Sequence, residues 1–211
     1  MALGQCRLAL LLALDVSSSV DAVEDRLQRE GLAAALATAE VQEAILSVPG
    51  QSVALAVFEW SGRYQQDVTL DWRLLRSPAD ILEAAGAISS SRRPYAEFPT
   101  ALGYALGYAA GLFEQAPRCD AHTLDVSGDG PNNDGFGPRL AYKHFPLAQV
   151  TVNALSIGGQ TAGLPDYYRR EVIKGPGAFV EEADGFEDFA RAMQRKLIRE
   201  TKALAIGALG R

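Results

Sequence analysis

Asp15, Ser17 and Ser19 occupy alternate positions in LLALDVSSSV, residues 11–20, where an unbroken apolar run gives way to oxygen-bearing side chains. Alternate side chains on an extended segment point the same way, roughly 6–7 Å apart. If the chain curls after the strand, the three would line one side of a shallow cup. Asp129, in SGDGPNND, offers a second carboxylate, flanked by Gly128 and Gly130, which would permit a tight loop. Thr100, at the head of TALGYAL, adds another hydroxyl at the start of an expected helix. Hard oxygen donors without His or Cys suit Mg²⁺, Mn²⁺ or Ca²⁺ and argue against zinc. Each cluster also has a plainer account. Ser, Asp and Thr are favoured at helix N-caps and turns, and Asn132, Asn133 and Asp134 could form a solvated turn.

The elements around these residues decide where they meet. Leu8–Leu14 reads as a buried strand, Ala22–Ala39 as a helix with Gly31 as its weak point, and SVALAVFEW as a second buried strand. DVTLDWRLL follows closely enough to form a hairpin with it, and SPADILEAAGAI opens a helix with Ser77 as N-cap and Pro78 at the first helical position. Thr100–Phe113, Arg139–Phe145, PDYYRREVI and Phe186–Thr201 read as helices, whereas AHTLDVSG, VTVNALSI and AFVEEA read as strands. Alternation of this kind implies an α/β fold: a doubly wound, mostly parallel sheet with one antiparallel edge strand and helices on both faces. With no repeat or linker, 1–211 reads as a single domain. Ligands of such sheets bind beyond the carboxyl ends of the strands, where Asp15 and Asp129 both fall.

Composition narrows the partners. A net charge of −6, with arginines scattered rather than in runs, makes nucleic acid a poor partner. The apolar run before Asp15 is too short to cross a bilayer, and Gly103, Gly107 and Gly111 interrupt the Ala-rich stretch, so no membrane span is expected. Cys6 and Cys119 precede their strands' terminal acids by similar lengths, so parallel neighbours would hold the sulfurs at similar heights. A disulfide and two reduced buried thiols both fit that spacing.

DVSSS, TALGYAL and DGPNND resemble, in order, the three pieces of the metal-ion-dependent adhesion site (MIDAS) of von Willebrand factor type A (vWA) domains. The order of strands and helices resembles that fold over nearly the whole chain, and VIKGPGAFVEEADGFEDFARAMQRKLIRE resembles the end of a bacterial branch with no assigned function. The resemblance implies that Asp15, Ser17, Ser19, Thr100 and Asp129 hold a divalent cation, Mg²⁺ ahead of Mn²⁺ or Ca²⁺. It further implies a protein partner whose Asp or Glu completes the coordination, and a last helix, Phe186–Thr201, that slides when it does so. With a Cys6–Cys119 bridge it suggests a periplasmic or secreted bacterial protein. The start at Met1 without a signal peptide leaves the cytoplasm as the alternative.

Asn132, Asn133 and Asp134 are expected behind the metal, and Arg92, Arg93 and Tyr95 at a partner-binding rim. Trp60 and the histidines, His122 and His144, read as structural. The competing function is Mg²⁺-dependent phosphoester hydrolysis with Asp15 as nucleophile. Ser17 stands where aspartyl phosphatases typically place their second aspartate, and the chain has neither a Gly-x-Ser-x-Gly elbow nor a dinucleotide-binding glycine turn.

Overall fold

The computed structural model describes residues 5–158 and 161–208, with side chains as far as 202. Strands β1 (Gln5–Asp15), β2 (Gln51–Trp60), β3 (Gln66–Leu75), β4 (Cys119–Gly128), β5 (Val150–Ile157) and β6 (Val180–Ala183) form a six-stranded sheet. Their order is β3-β2-β1-β4-β5-β6, and only the β2–β3 hairpin is antiparallel. The continuous Leu/Ala run of β1 suits its central place, since a strand covered on both faces needs no polar alternation.

Even-numbered β1 residues Leu8, Leu10, Leu12 and Leu14 pack toward α1 (Ala22–Ala37), α2 (Ala39–Ile45), α3 (Pro78–Ser89) and α7 (Phe189–Ala208). Leu11 and Ala13 face the other way, toward α4 (Leu102–Glu114), α5 (Pro138–His144) and α6 (Leu164–Tyr167), which continues into a π-helical turn at Tyr168–Val172. Phe186, Phe189, Met193 and Leu197 form the buried stripe of the last helical segment. Trp60 is fully buried.

Several boundaries differ from the sequence expectation, the last helix among them, which is a 3-10 turn at Phe186–Asp188 followed by α7, and two of the differences have a clear side-chain cause. The first helix ends at Ala37 rather than Ala39, because Thr38 donates its hydroxyl to Ala35 O at 2.8 Å and accepts from Val41 N at 3.4 Å, starting α2. A hydroxyl that satisfies backbone groups at both ends lets the chain turn without orphaning them. Thr100 precedes α4 rather than opening it: the helix begins at Leu102, and the Thr100 backbone is bonded instead to Asn133 and Asp134. Gly31 is explained by packing, since a Cβ there would lie 3.0 Å from the Phe189 ring and 3.3 Å from Ala190 N. Its lost helix propensity permits close approach of α1 and α7.

β1 and β4 are neighbours from end to end. At their amino ends Cys6 and Cys119 are register partners with Cα atoms 4.5 Å apart, joined by a disulfide. Nearby, buried Arg7 donates to the carbonyls of Ala44, Ile45 and Thr201, tying α2 and α7 to the sheet. At the carboxyl ends lie Asp15 and, one residue past β4, Asp129. Connections from β1 and β4 leave toward opposite edges, so these two acids flank the topological switch point.

Candidate metal centre

The turn after β1 is built around Asp15. Its Oδ1 accepts the Ser17 amide at 2.8 Å, and its backbone oxygen accepts Gln28 Nε2 of α1 at 3.0 Å. Asp21 then starts α1 with a capping box: Val23 and Glu24 amides donate to its Oδ1, and Glu24 returns a bond to the Asp21 amide at 2.8 Å. A cap of this kind satisfies the first amides of the helix and fixes where the turn must end. Ser17 is consequently buried and Ser19 is exposed. Their hydroxyls lie 3.1 Å apart, and Ser19 Oγ donates to Asp129 Oδ1 at 2.8 Å. The structure therefore joins Ser17, Ser19 and Asp129 in one line of contacts.

Gly128 holds Asp15 and Asp129 in register by being small rather than by turning. A Cβ there would stand 2.4 Å from Tyr168 Oη and 3.0 Å from Asp15 Oδ2, and neither Gly128 nor Gly130 has positive φ. Thr100 Oγ1 approaches from the third side, 4.0 Å from where a Gly130 Cβ would be and 3.5 Å from Asn133 Nδ2. Asn133 Oδ1 accepts the Thr100 amide at 2.8 Å, and Asn132 Oδ1 accepts the Gly103 amide at 3.2 Å. The two asparagines thus lock the Thr100 segment to the Asp129 loop.

Asp15 Oδ2 and Asp129 Oδ2 are both buried, and neither accepts a hydrogen bond. A buried acceptor left in this way costs about 1–3 kcal/mol, more when charged. Burial first, then Asp129, pushes the Asp15 carboxyl up to about 7, against the Ser17 bonds and Arg93; burial likewise raises Asp129. Two unsatisfied carboxylate oxygens beside the Ser17 and Ser19 hydroxyls, with Thr100 on the adjoining segment, form a donor set that fits a hard divalent cation. Among the described residues no three His, Cys, Asp or Glu side chains cluster as metal ligands.

The remaining expected residues divide. Arg93 turns inward from the rim: its Nη2 donates to Val16 O at 2.8 Å and Ser17 O at 3.0 Å, clamping the turn. Arg92 is exposed, and Tyr95 packs edge-on against Phe98. Asp134 is held by Arg63 in a bidentate pair with a 2.7 Å contact, which keeps its carboxyl below the usual range. Sequence reasoning missed Gln28, Arg63, Tyr167 and Tyr168. Tyr167 Oη accepts the Asn132 amide at 3.1 Å, and Tyr168 Oη donates to Gly130 O at 3.3 Å, so the junction of α6 and the π turn supports the Asp129 loop. Of the four, Gln28 alone left a trace in the sequence, as a polar residue four positions before Leu32 on the apolar stripe of α1.

A mostly parallel α/β sheet of this strand order, with one antiparallel edge strand, is the vWA fold, and solved structures align with it. Proximal thread matrix protein 1 from the mussel byssus, in a form described with a zinc-occupied MIDAS motif, aligns with TM-score 0.65 and 17% identity over 95% of this chain and 48% of that one. A von Willebrand factor type A protein from Catenulispora acidiphila aligns with TM-score 0.64 and 16% identity over 93% of this chain and 43% of that one. BatB, a conserved hypothetical protein from Bacteroides thetaiotaomicron, aligns with TM-score 0.58 and 18% identity over 94% of this chain and 99% of that one. The chain therefore spans about half the length of the first two. It belongs to the family described as "Protein of unknown function (DUF1194)", whose model matches residues 5–205. A comparison with curated proteins gave no match.

Proposed function

We propose that the chain is a single vWA-like domain acting as a divalent-cation-dependent protein-binding module. Asp15, Ser17, Ser19, Thr100 and Asp129 would hold the ion, and a partner's Asp or Glu would complete its coordination. The observation that carries this reading is the pair of buried carboxylate oxygens without hydrogen bonds, Asp15 Oδ2 and Asp129 Oδ2, beside the Ser17 and Ser19 hydroxyls. When bound, the cation supplies a Lewis-acidic position that neutral hydroxyls leave under-neutralised, and an external carboxylate satisfies it. Mg²⁺ ranks first on donor hardness. The mussel neighbour's zinc requires that Zn²⁺ be tested beside Mn²⁺ and Ca²⁺.

Ser17, standing where aspartyl phosphatases typically place their second aspartate, disfavours the hydrolase reading. The Cys6–Cys119 disulfide supports a periplasmic or secreted setting, where such bonds persist. Among the described residues no helix is long and apolar enough to cross a membrane.

Thermal melts in EDTA and in millimolar Mg²⁺, Mn²⁺, Ca²⁺ or Zn²⁺ test the site. Ion at 100 times its Kd should add about 2.7 kcal/mol, or roughly 5–10 °C, to the wild type and nothing to Ser17→Ala/Ser19→Ala. Absence of a shift with every ion would return these residues to a capping role.

A further inference from the structure

The metal reading leaves one group of reactive side chains unused. Asp125 of β4 and Lys196 and Glu200 of α7 are buried together, with 1%, 0% and 5% of their surfaces exposed. Lys196 Nζ stands 2.9 Å from Asp125 Oδ1 and 2.7 Å from Glu200 Oε1. Asn153, the register neighbour of Asp125 on β5, donates from Nδ2 to the same Glu200 oxygen at 2.8 Å and accepts the Phe179 amide at 3.1 Å. The Phe179 ring covers the amine, with its centroid 5.0 Å from Nζ. An amine and two carboxyls are thus held in contact where solvent does not reach.

Plain ion pairing accounts poorly for this trio. Two acids face one base, and among the described residues no second cation pairs with either acid. With all three ionised the core would hold an unbalanced negative charge, which is costly in a medium of low dielectric. A proton on Asp125 removes that excess, and burial pushes its carboxyl up to about 7, with Lys196 opposing and Glu200 adding to the rise. The Asn153 donor suits Glu200 as the ionised acid. Among the described residues neither Asp125 oxygen has a hydrogen-bond donor, so Nζ touches this carboxyl without being tied to it by a hydrogen bond. A nucleophile, an electrophilic carbon one bond beyond Oδ1, and a base are in place.

We propose that Lys196 and Asp125 condense into an intramolecular amide, an isopeptide bond that joins α7 to β4. Glu200 takes one proton from the Nζ ammonium, and the freed lone pair attacks Cγ of the protonated Asp125 carboxyl. As the N–Cγ bond forms, a second Nζ proton passes through Glu200 to the departing hydroxyl, the Cγ–O bond breaks and one water leaves. The products are a neutral amide, water and protonated Glu200, so no oxidant or cofactor is consumed and the buried charges are removed. Exclusion of bulk water protects the amide from hydrolysis. The reaction follows folding, because only the fold brings α7 to β4, and the ion-paired trio is what a newly folded chain presents. Once joined to β4, α7 cannot slide along the sheet.

The test is the mass of the full chain, aged in neutral buffer until constant, then unfolded and reduced with dithiothreitol so that the Cys6–Cys119 bridge does not contribute. Wild type should be lighter than its sequence by one water, and tandem mass spectrometry of a protease digest should find the Asp125 peptide joined to the Lys196 peptide. Lys196→Met and Asp125→Leu should each keep their full sequence mass. Glu200→Gln, which retains an acceptor for Asn153, should form the bond about a hundredfold more slowly or not at all, with circular dichroism like that of the wild type. Wild type at its full sequence mass, a missing water located elsewhere in the chain, or bonding in Glu200→Gln at the wild-type rate would each overturn the inference.

Discussion

Lys196 offers the most direct quantitative test of how this fold is held. Its side chain is fully buried on α7, with Nζ 2.9 Å from Asp125 Oδ1 of β4 and 2.7 Å from Glu200 Oε1. Asn153 Nδ2 of β5 donates to the same Glu200 oxygen at 2.8 Å. Two carboxylates share one cation here, and burial pushes the Asp125 carboxyl up to about 7, with Lys196 opposing and Glu200 adding to the rise. Lys196→Met keeps the length and apolar stem but leaves both acids without their counter-charge. Removing one partner of a buried pair costs about 3–5 kcal/mol. At roughly 2–4 °C per kcal/mol for a chain of this size, the melting point should fall by about 6–20 °C. The loss should be smaller at pH 5 than at pH 8, because the stranded acids can take up protons. Urea unfolding followed by circular dichroism gives the free energy directly. The triple variant Asp125→Leu/Lys196→Met/Glu200→Gln, which keeps an acceptor for Asn153, should recover most of the loss. A single-variant loss under about 1 kcal/mol, or one independent of pH, would refute the reasoning.

Three further outcomes follow from the structure. Glu59 is raised from 4.5 to about 7, mainly by burial, with Arg29 opposing. A raised acid stabilises most below its unfolded value and loses that contribution as pH climbs to 7, so in EDTA Glu59→Gln should gain on wild type by up to about 3 kcal/mol between pH 4.5 and 8; a flat difference in urea midpoints would refute it. Reducing the Cys6–Cys119 bridge, which closes a span of 113 residues, should cost about 2–5 kcal/mol, read as a lower melting point with dithiothreitol that Cys6→Ser/Cys119→Ser reproduces. Gly128→Ala should weaken Mg²⁺ binding about tenfold or more by calorimetry, because the new Cβ meets Tyr168 Oη and Asp15 Oδ2; unchanged binding would show that Asp15 has room to shift.

The sequence disclosed what is encoded locally. The apolar run of β1, the Ser77 cap and the hairpin from β2 to β3 each depend on a few neighbouring residues, and all appear as read. Thr38 was misjudged because its hydroxyl serves two helices at once, an arrangement that helical periodicity does not register. The long-range partners were invisible. Nothing near Arg93 in sequence indicates that it will reach the carbonyls of Val16 and Ser17, or that Asp134 will be taken by Arg63. Tyr167 and Tyr168 were equally hidden, since their hydroxyls meet the Asp129 loop more than thirty residues away in sequence.

These hidden contacts share a consequence for the site. Gln28, Arg93, Tyr167 and Tyr168 all spend their hydrogen bonds on backbone groups of the two acid-bearing loops and none on the acids' outer oxygens. Asp15 Oδ2 and Asp129 Oδ2 are therefore fixed in place but unsatisfied, although a single relocated donor could have relieved either one. On the proposed function, an ion bound between these braced loops would gain the energy that the two acceptors cost the fold.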